Sequence, residues 1–145
     1  MVQVKGGDKL ERALNRMAAA VKKAAVLQVG FMGNATEADG TPVALVAALN
    51  EFGSGNAPPR PFFRRMIAKN RGRWPKNLAT ALVATDYDAK AALTMLGVEI
   101  NDELKESITE LVSPPLAEST IKRKGFDKPL IETGTMLNST TFNVK

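Results

Sequence analysis

Asn50-Glu51-Phe52-Gly53-Ser54-Gly55-Asn56-Ala57-Pro58-Pro59-Arg60-Pro61-Phe62-Phe63 is the stretch on which the reading of this chain turns. It starts as the end of an apolar helix. Gly53 can stop that helix, because glycine takes positive φ without a steric penalty. Ser54, Gly55 and Asn56 form a turn. Pro58 and Pro59 then stiffen the chain, since proline fixes φ and holds its predecessor extended. Pro61 stands where the first residue of a new helix belongs, and Phe62 and Phe63 follow directly. A soft turn, a rigid strut and an aromatic plug suit a docking loop better than an active site.

Upstream, Thr41 is the expected N-cap and Pro42 the first residue of a helix with Leu45, Val46, Leu49 and Phe52 on its buried side. Phe52 can alternatively plug a neighbouring subunit. Gly33 to Gly40 is a polar loop, acidic at Glu37 and Asp39, either a hairpin tip or a mobile arm. From Ala25 to Met32, Leu27, Val29 and Phe31 alternate with Gln28 and Gly30, which predicts a strand. Residues 7 to 24 read as a helix with a Leu10, Leu14, Met17, Val21 stripe. Lys9, Arg12, Arg16, Lys22 and Lys23 fall elsewhere around it, as a solvated face or one turned toward DNA or an acidic partner.

Downstream, no acidic residue occurs from Phe52 to Thr85, while Arg60, Arg64, Arg65, Lys69, Arg71, Arg73 and Lys76 do. Phe63, Met66 and Ile67 give residues 62 to 70 the apolar side of a short helix. Trp74 precedes Pro75, from which Leu78, Leu82 and Val83 continue a helical pattern. This basic, aromatic segment reads as a protein interface, a solvated face or a phosphate contact. No helix-turn-helix, RNA-recognition or zinc-finger pattern accompanies it.

Asp86 or Asp88 is expected to cap the longest helix, at about 87–112. Leu93, Leu96, Ile100, Leu104, Ile108 and Leu111 step along it by three or four. Glu99, Asp102, Glu103, Glu106 and Glu110 occupy its other side. In a ring, this acidic helix could meet the basic segment of the next subunit, and such head-to-tail contacts close when the rotation is right. The alternative is two solvated faces that never meet. Clustered glutamates also raise divalent-ion binding or acid–base work, but no calcium-loop pattern supports it.

Ser113-Pro114-Pro115 ends the long helix. Leu116 to Lys124 forms a short helix stopped by Gly125, with Lys122, Arg123 and Lys124 as a second basic cluster. Phe126 to Pro129 is linker. Thr133-Gly134 opens a turn, with Met136 and Leu137 inward. Thr140 to Val144 is β-prone and expected to pair with the 25–32 strand. The fold class is therefore α+β. A small antiparallel sheet packs against several helices in one domain spanning 1–145, with loops at 33–40 and 53–61 as candidates for mobility.

Composition excludes several chemistries. At 145 residues, with 44% hydrophobic and 24% charged residues, the chain can bury a real core. No apolar run is long enough to cross a membrane, and the first residues lack the apolar run of a signal peptide. Synthesis in the cytoplasm is the expectation, and the absence of cysteine agrees with it. Without histidine or cysteine there is no Ser-His-Asp triad, imidazole base or thiolate site. Gly53-Ser54-Gly55 lacks the spacing of a phosphate loop. No catalysis, metal or cofactor is expected. The net charge of +5 permits contact with nucleic acid or an acidic protein surface.

Asn50-Glu51-Phe52-Gly53 followed by Pro58-Pro59-Arg60-Pro61-Phe62 resembles a signature of neck and tail-completion proteins of tailed bacteriophages. Leu130, Glu132, Thr133, Gly134, Leu137, Asn138 and Ser139 are similar to that family's second signature, which more often has Asp at the Glu132 position. Residues 115–125 resemble the segment that precedes it. The resemblance covers 25–63 and 113–145. It implies a non-enzymatic virion protein, made in the host cytoplasm, that forms a homo-oligomeric ring at the head–tail junction. Its partners would be copies of itself and neighbouring connector and tail proteins, with double-stranded DNA passing through the lumen and no membrane. Interface residues are then expected at Asn50 to Gly53, Pro58 to Phe62, Glu132, Thr133, Gly134 and Leu137. DNA or an acidic partner would meet Arg64, Arg65, Lys69, Arg71, Arg73, Lys76, Lys122, Arg123 and Lys124. Under that expectation, Phe62 or Arg60 replaced by Ala leaves the monomer folded and weakens assembly. A basic nucleic-acid-binding accessory or phage assembly protein is the alternative.

Overall fold

A computed structural model describes residues 6–22, 25–31, 33–125, 127–130 and 134–145. In chain order the elements are α1 (Gly7–Lys22), β1 (Leu27–Phe31), α2 (Val43–Phe52), α3 (Phe62–Asn70), α4 (Trp74–Ala84), α5 (Ala89–Glu110), α6 (Glu118–Lys124), α7 (Thr135–Asn138) and β2 (Thr140–Val144). The two strands pair antiparallel, from Leu27 opposite Val144 to Phe31 opposite Thr140. Both ends of the chain thus join one sheet, and the fold is α+β as the sequence predicts.

A two-stranded ribbon is marginal by itself in water. Here α5 crosses one face of it and supplies the missing core. Leu27, Val29 and Phe31 turn toward that core, whereas Gln28 is exposed. The approach is closest at Gly97 of α5. A Cβ there would run into the ring of Phe142 and lie 2.9 Å from a methyl of Leu27. Glycine thus lets the strands lie directly on the helix, although it weakens a helix interior.

Along α5, Leu96, Ile100, Leu104 and Ile108 are buried, with Leu111 just beyond. They meet Phe62 and Met66 of α3, Val43 and Ala47 of α2, Leu130, and Met136 of α7. Of the predicted stripe only Leu93 is half-buried. Asp88, not Asp86, caps the helix, its carboxylate accepting from Ala91 N at 3.0 Å. Asp86 and Tyr87 make the α4–α5 turn with φ of 49° and 64°. That is a left-handed pair which tyrosine seldom adopts.

Three expectations change. Thr41 does not cap α2, because Pro42 takes the cap position with no side-chain hydrogen bond. Residues 33–43 instead form a hairpin. Glu37 N donates to Thr41 O at 2.8 Å, Val43 N to Ala35 O at 2.9 Å, and Thr41 N to the Asp39 carboxylate at 2.9 Å. The Thr41 bonds hold the exposed Asp39 carboxyl below its ordinary pKa.

Second, α2 buries Val43, Ala47 and Glu51 rather than Leu45, Leu49 and Phe52, which are 49%, 43% and 67% exposed. The first seven residues of α2 are apolar all round, so hydrophobicity alone gives the helix no preferred rotation. Third, α1 does not lay its stripe on the body. Leu10 and Leu14 are 62% and 54% exposed, and α1 touches the rest through Arg16, 3.4 Å from Asp86. The side chains of Val21, Lys22 and Lys23 lie outside the described residues.

Gly97→Ala sets two effects against each other. Alanine favours a helix interior by about 1 kcal/mol over glycine, but overpacking typically costs about 1–3 kcal/mol. A net loss of about 1 kcal/mol is expected, read as a lower urea midpoint at unchanged slope. A raised midpoint would mean that the sheet does not press on Gly97.

Candidate functional site

The Asn50–Phe63 stretch is built around one carboxylate. Glu51, in the last turn of α2, is buried. It accepts from Phe63 N at 2.9 Å and from Arg64 N at 3.2 Å. Those are the second and third residues of α3, so Glu51 caps a helix that begins eleven residues later. Negative charge is favoured at that helix end. Arg64 completes the clamp, with Nε 2.7 Å from the carboxylate and Nη2 2.9 Å from Glu51 O.

The connection between the two helices is tight. Ser54 and Ala57 exchange backbone bonds of 3.1 and 2.8 Å around Gly55 and Asn56, a two-residue hairpin with Gly55 at positive φ. Gly53 has φ +79°, and a Cβ on it would lie 2.9 Å from Ala57 O. Arg60 N donates to Asn50 O at 2.6 Å. Pro61, at φ −77° and ψ 66°, lies in an inverse γ-turn closed by Phe62 N donating to Arg60 O at 2.8 Å.

Two residues expected at a docking surface point inward. Phe62 is 1% exposed, edge-on to Phe31 at 6.1 Å between ring centres, and its carbonyl accepts from Ser107 of α5 at 2.7 Å. Arg60 is 8% exposed and reaches the carbonyls of Pro114 and Pro115, each at 3.3 Å. Glu51, Arg60 and Phe62 are thus internal ties, which corrects their assignment as interface contacts. Of the expected interface residues in this stretch, Phe52, Pro58 and Pro59 are exposed, alongside the turn 54–57, with half-buried Gly53 and Pro61 at the edge. Arg64 stacks over the Phe52 ring at 5.2 Å.

The second signature stretch packs beside the first, α7 lying against α2. Gly134 has φ +78° and starts α7. Met136 is buried, Leu137 half-buried, and Ser139 is held by its hydroxyl donating to Thr135 O at 2.6 Å. Glu132 and Thr133 lie outside the described residues. Asn50 of the first stretch, with Val46 one turn before it, and Pro129, Leu130, Gly134, Thr135 and Met136 from the second line a common cleft of about 480 Å³, together with Arg123 and Lys124.

The basic segment and the acidic helix meet inside one chain, a correction to the ring contact and to the solvated faces alike. Arg73 Nη2 lies 2.7 Å from buried Glu103 and 2.6 Å from Asn70 Oδ1. Trp74 Nε1 donates to the other Glu103 oxygen at 2.9 Å. Asn77 donates to Glu99. Lys69 lies 3.9 and 3.7 Å from Glu106 and Glu110. Arg65, Arg71, Lys76 and Lys122 are exposed and have no side-chain partner among the described residues. Lys124 Nζ donates to Lys128 O at 2.9 Å.

Among the described residues, no three His, Cys, Asp or Glu side chains are grouped to hold a metal ion, and no helix is long and apolar enough to cross a membrane. Glu51 is the residue whose role sequence reasoning missed. A carboxylate ten residues ahead of Pro-Phe-Phe is a distant cap, and cap patterns are read only within one turn. Comparison with protein-family models, curated proteins and solved structures gives no match.

Glu51→Ala leaves two helix N–H groups and Arg64 without their acceptor. A loss of about 2–4 kcal/mol is expected, with Glu51→Gln intermediate because it retains one acceptor oxygen. Phe62→Ala should cost about 3–5 kcal/mol, so it reports on folding before assembly. Urea denaturation of the three variants checks the order. A wild-type midpoint for Glu51→Ala would remove the clamp from the account.

Proposed function

We propose that this protein is a structural component of a tailed-phage virion, forming a ring at the head–tail junction, in the neck or at the end of the tail, through which DNA passes. Support comes from one observation above the rest. The two stretches that resemble the neck and tail-completion signatures are far apart in sequence, yet they pack at one corner of the domain and line one cleft. The internal ties found there assign the first stretch a scaffolding role. Glu51, Arg60 and Phe62 hold the loop rigid, and Phe52, Pro58 and Pro59 are the surface it presents.

The protein in this role acts by geometry and not by catalysis. A rigid body repeats around an axis, and its neighbours are further copies, connector proteins and tail proteins. Opposite charges already matched within the chain leave subunit contacts to apolar surface, which α2 supplies through Leu45, Leu49 and Phe52. A second reading, a basic nucleic-acid-binding accessory, is favoured by exposed cations that have no side-chain partner among the described residues, such as Arg65, Arg71, Lys76 and Lys122. Phosphate contact of that kind would weaken steeply with added salt.

Quantitative mass spectrometry of purified virions of the encoding phage separates the two. A low fixed copy number, equal to one ring and far below the capsid and tail-tube proteins, is expected. Absence from finished particles would overturn the structural role and leave the accessory reading.

A further inference from the structure

Two of the exposed apolar helix faces, on α1 and α2, match in spacing. On α1, Leu10, Leu14 and Met17 form a stripe spaced four and then three residues apart, with both leucines more than half exposed. On α2, Leu45, Leu49 and Phe52 repeat that spacing and are all exposed. Each seam is two turns, about 10 Å, long at ~1.5 Å per residue. Stripes of this kind pack side by side when helices cross at shallow angles.

The seams cannot meet within one molecule. Arg16 of α1 lies beside Asp86, and Ala19 and Ala20 line a cleft with residues 86–90 at the start of α5. α2 belongs to the other end of that helix. Its Glu51 holds the start of α3, and Phe62 there accepts from Ser107. Ala89 and Ser107 are about 27 Å apart along the helix. The sheet gives the same order. The chain leaves α1 and enters β1 at Leu27, whereas Phe31, at the far end of the strand, touches Phe62.

Two complementary apolar faces at opposite ends of one body define a head-to-tail contact, the kind that closes rings or extends filaments. We propose that α1 of one copy docks on the Leu45-Leu49-Phe52 face of α2 in the next copy. The occupant is a second copy because each chain carries one of each face, so both seams are covered when the assembly closes. Charge permits it. The only charged residue of α2 is Glu51, which is buried and already engaged. The hairpin before α2 offers exposed Asp39 to Lys9 of α1. The proposal rests on the ring assembly above and names the surfaces that build it.

The chain has no cysteine, so introduced thiols are the only ones present. Leu14→Cys and Leu49→Cys single variants, both at exposed sites, are purified, checked for wild-type circular dichroism, mixed in equal amounts and oxidised with copper phenanthroline. Leu14 and Leu49 are central in their seams, so they face each other whichever way the helices run. The expected product is a disulfide joining one copy of each variant, with the double variant giving a ladder of oligomers on non-reducing gels. Only Leu14–Leu14 products would mean that α1 pairs with itself and would overturn the proposal. A double variant that closes within one chain would overturn it too, as would absence of cross-linking at concentrations where the wild type is oligomeric. Co-sedimentation of the wild type with anionic lipid vesicles, lost in Leu14→Asp, combined with absent cross-links, would assign α1 to a membrane surface instead. A chain present in virions at fixed low copy but giving no Leu14–Leu49 disulfide would keep the virion role and discard this contact.

Discussion

The carboxylate of Glu51 is the interaction on which the rest of the domain depends. It joins the last turn of α2 to the first turn of α3 through two backbone N–H groups and Arg64. A buried carboxylate is costly unless each lone pair has a donor, and here a helix end supplies donors that themselves lack partners. The match fixes the rotation of α2, so the larger apolar residues Leu45, Leu49 and Phe52 face out and the smaller Val43 and Ala47 face in. It also seats Phe62 at its depth in the core. The proline loop is tied at both ends, and the Arg60 side chain fastens its C-terminal end to the segment after α5.

Electrostatics serves the monomer in the same way. A long run of cations beside a helix rich in glutamate invites a subunit interface. In the folded chain Arg73 and Trp74 donate to Glu103 instead, with Asn70 accepting from Arg73, and Lys69 spans Glu106 and Glu110. The buried Glu103 pair specifies how α3 and α4 sit on α5. The more exposed Lys69 pairs contribute little by themselves. Beyond these pairs, the apolar seams of α1 and α2 and cations such as Arg65 and Arg71 face outward.

Much of the fold was legible in the residues. The period of Leu96 to Ile108 marked the long helix, the alternation of Leu27, Val29 and Phe31 marked a strand, and Pro61 marked the start of α3. Pairing of the 25–32 strand with Thr140–Val144 could be read because only these two segments are β-prone. Of the candidate site, the loop was legible through Gly53 and its prolines, which restrict φ locally. The direction of its side chains was not. Arg60 and Phe62 look like ideal contacts for a partner, and the same properties make them ideal contacts for the chain's own core.

The sequence by itself determined the elements, the strand pair and the rigid turn, because each follows from local rules: periodicity, φ restriction and capping. Only the tertiary structure decided which face of α2 is buried, that Glu51 caps a helix beyond the loop, that the basic segment answers the acidic helix of its own chain, and that α1 stands apart. Those outcomes depend on which groups come within about 3–4 Å after packing, and an interaction between residues well beyond one helical turn apart leaves no periodic trace in the residues that make it. Where a helix is apolar all round, or a charge run could face either way, the neighbours that the fold brings close make the choice.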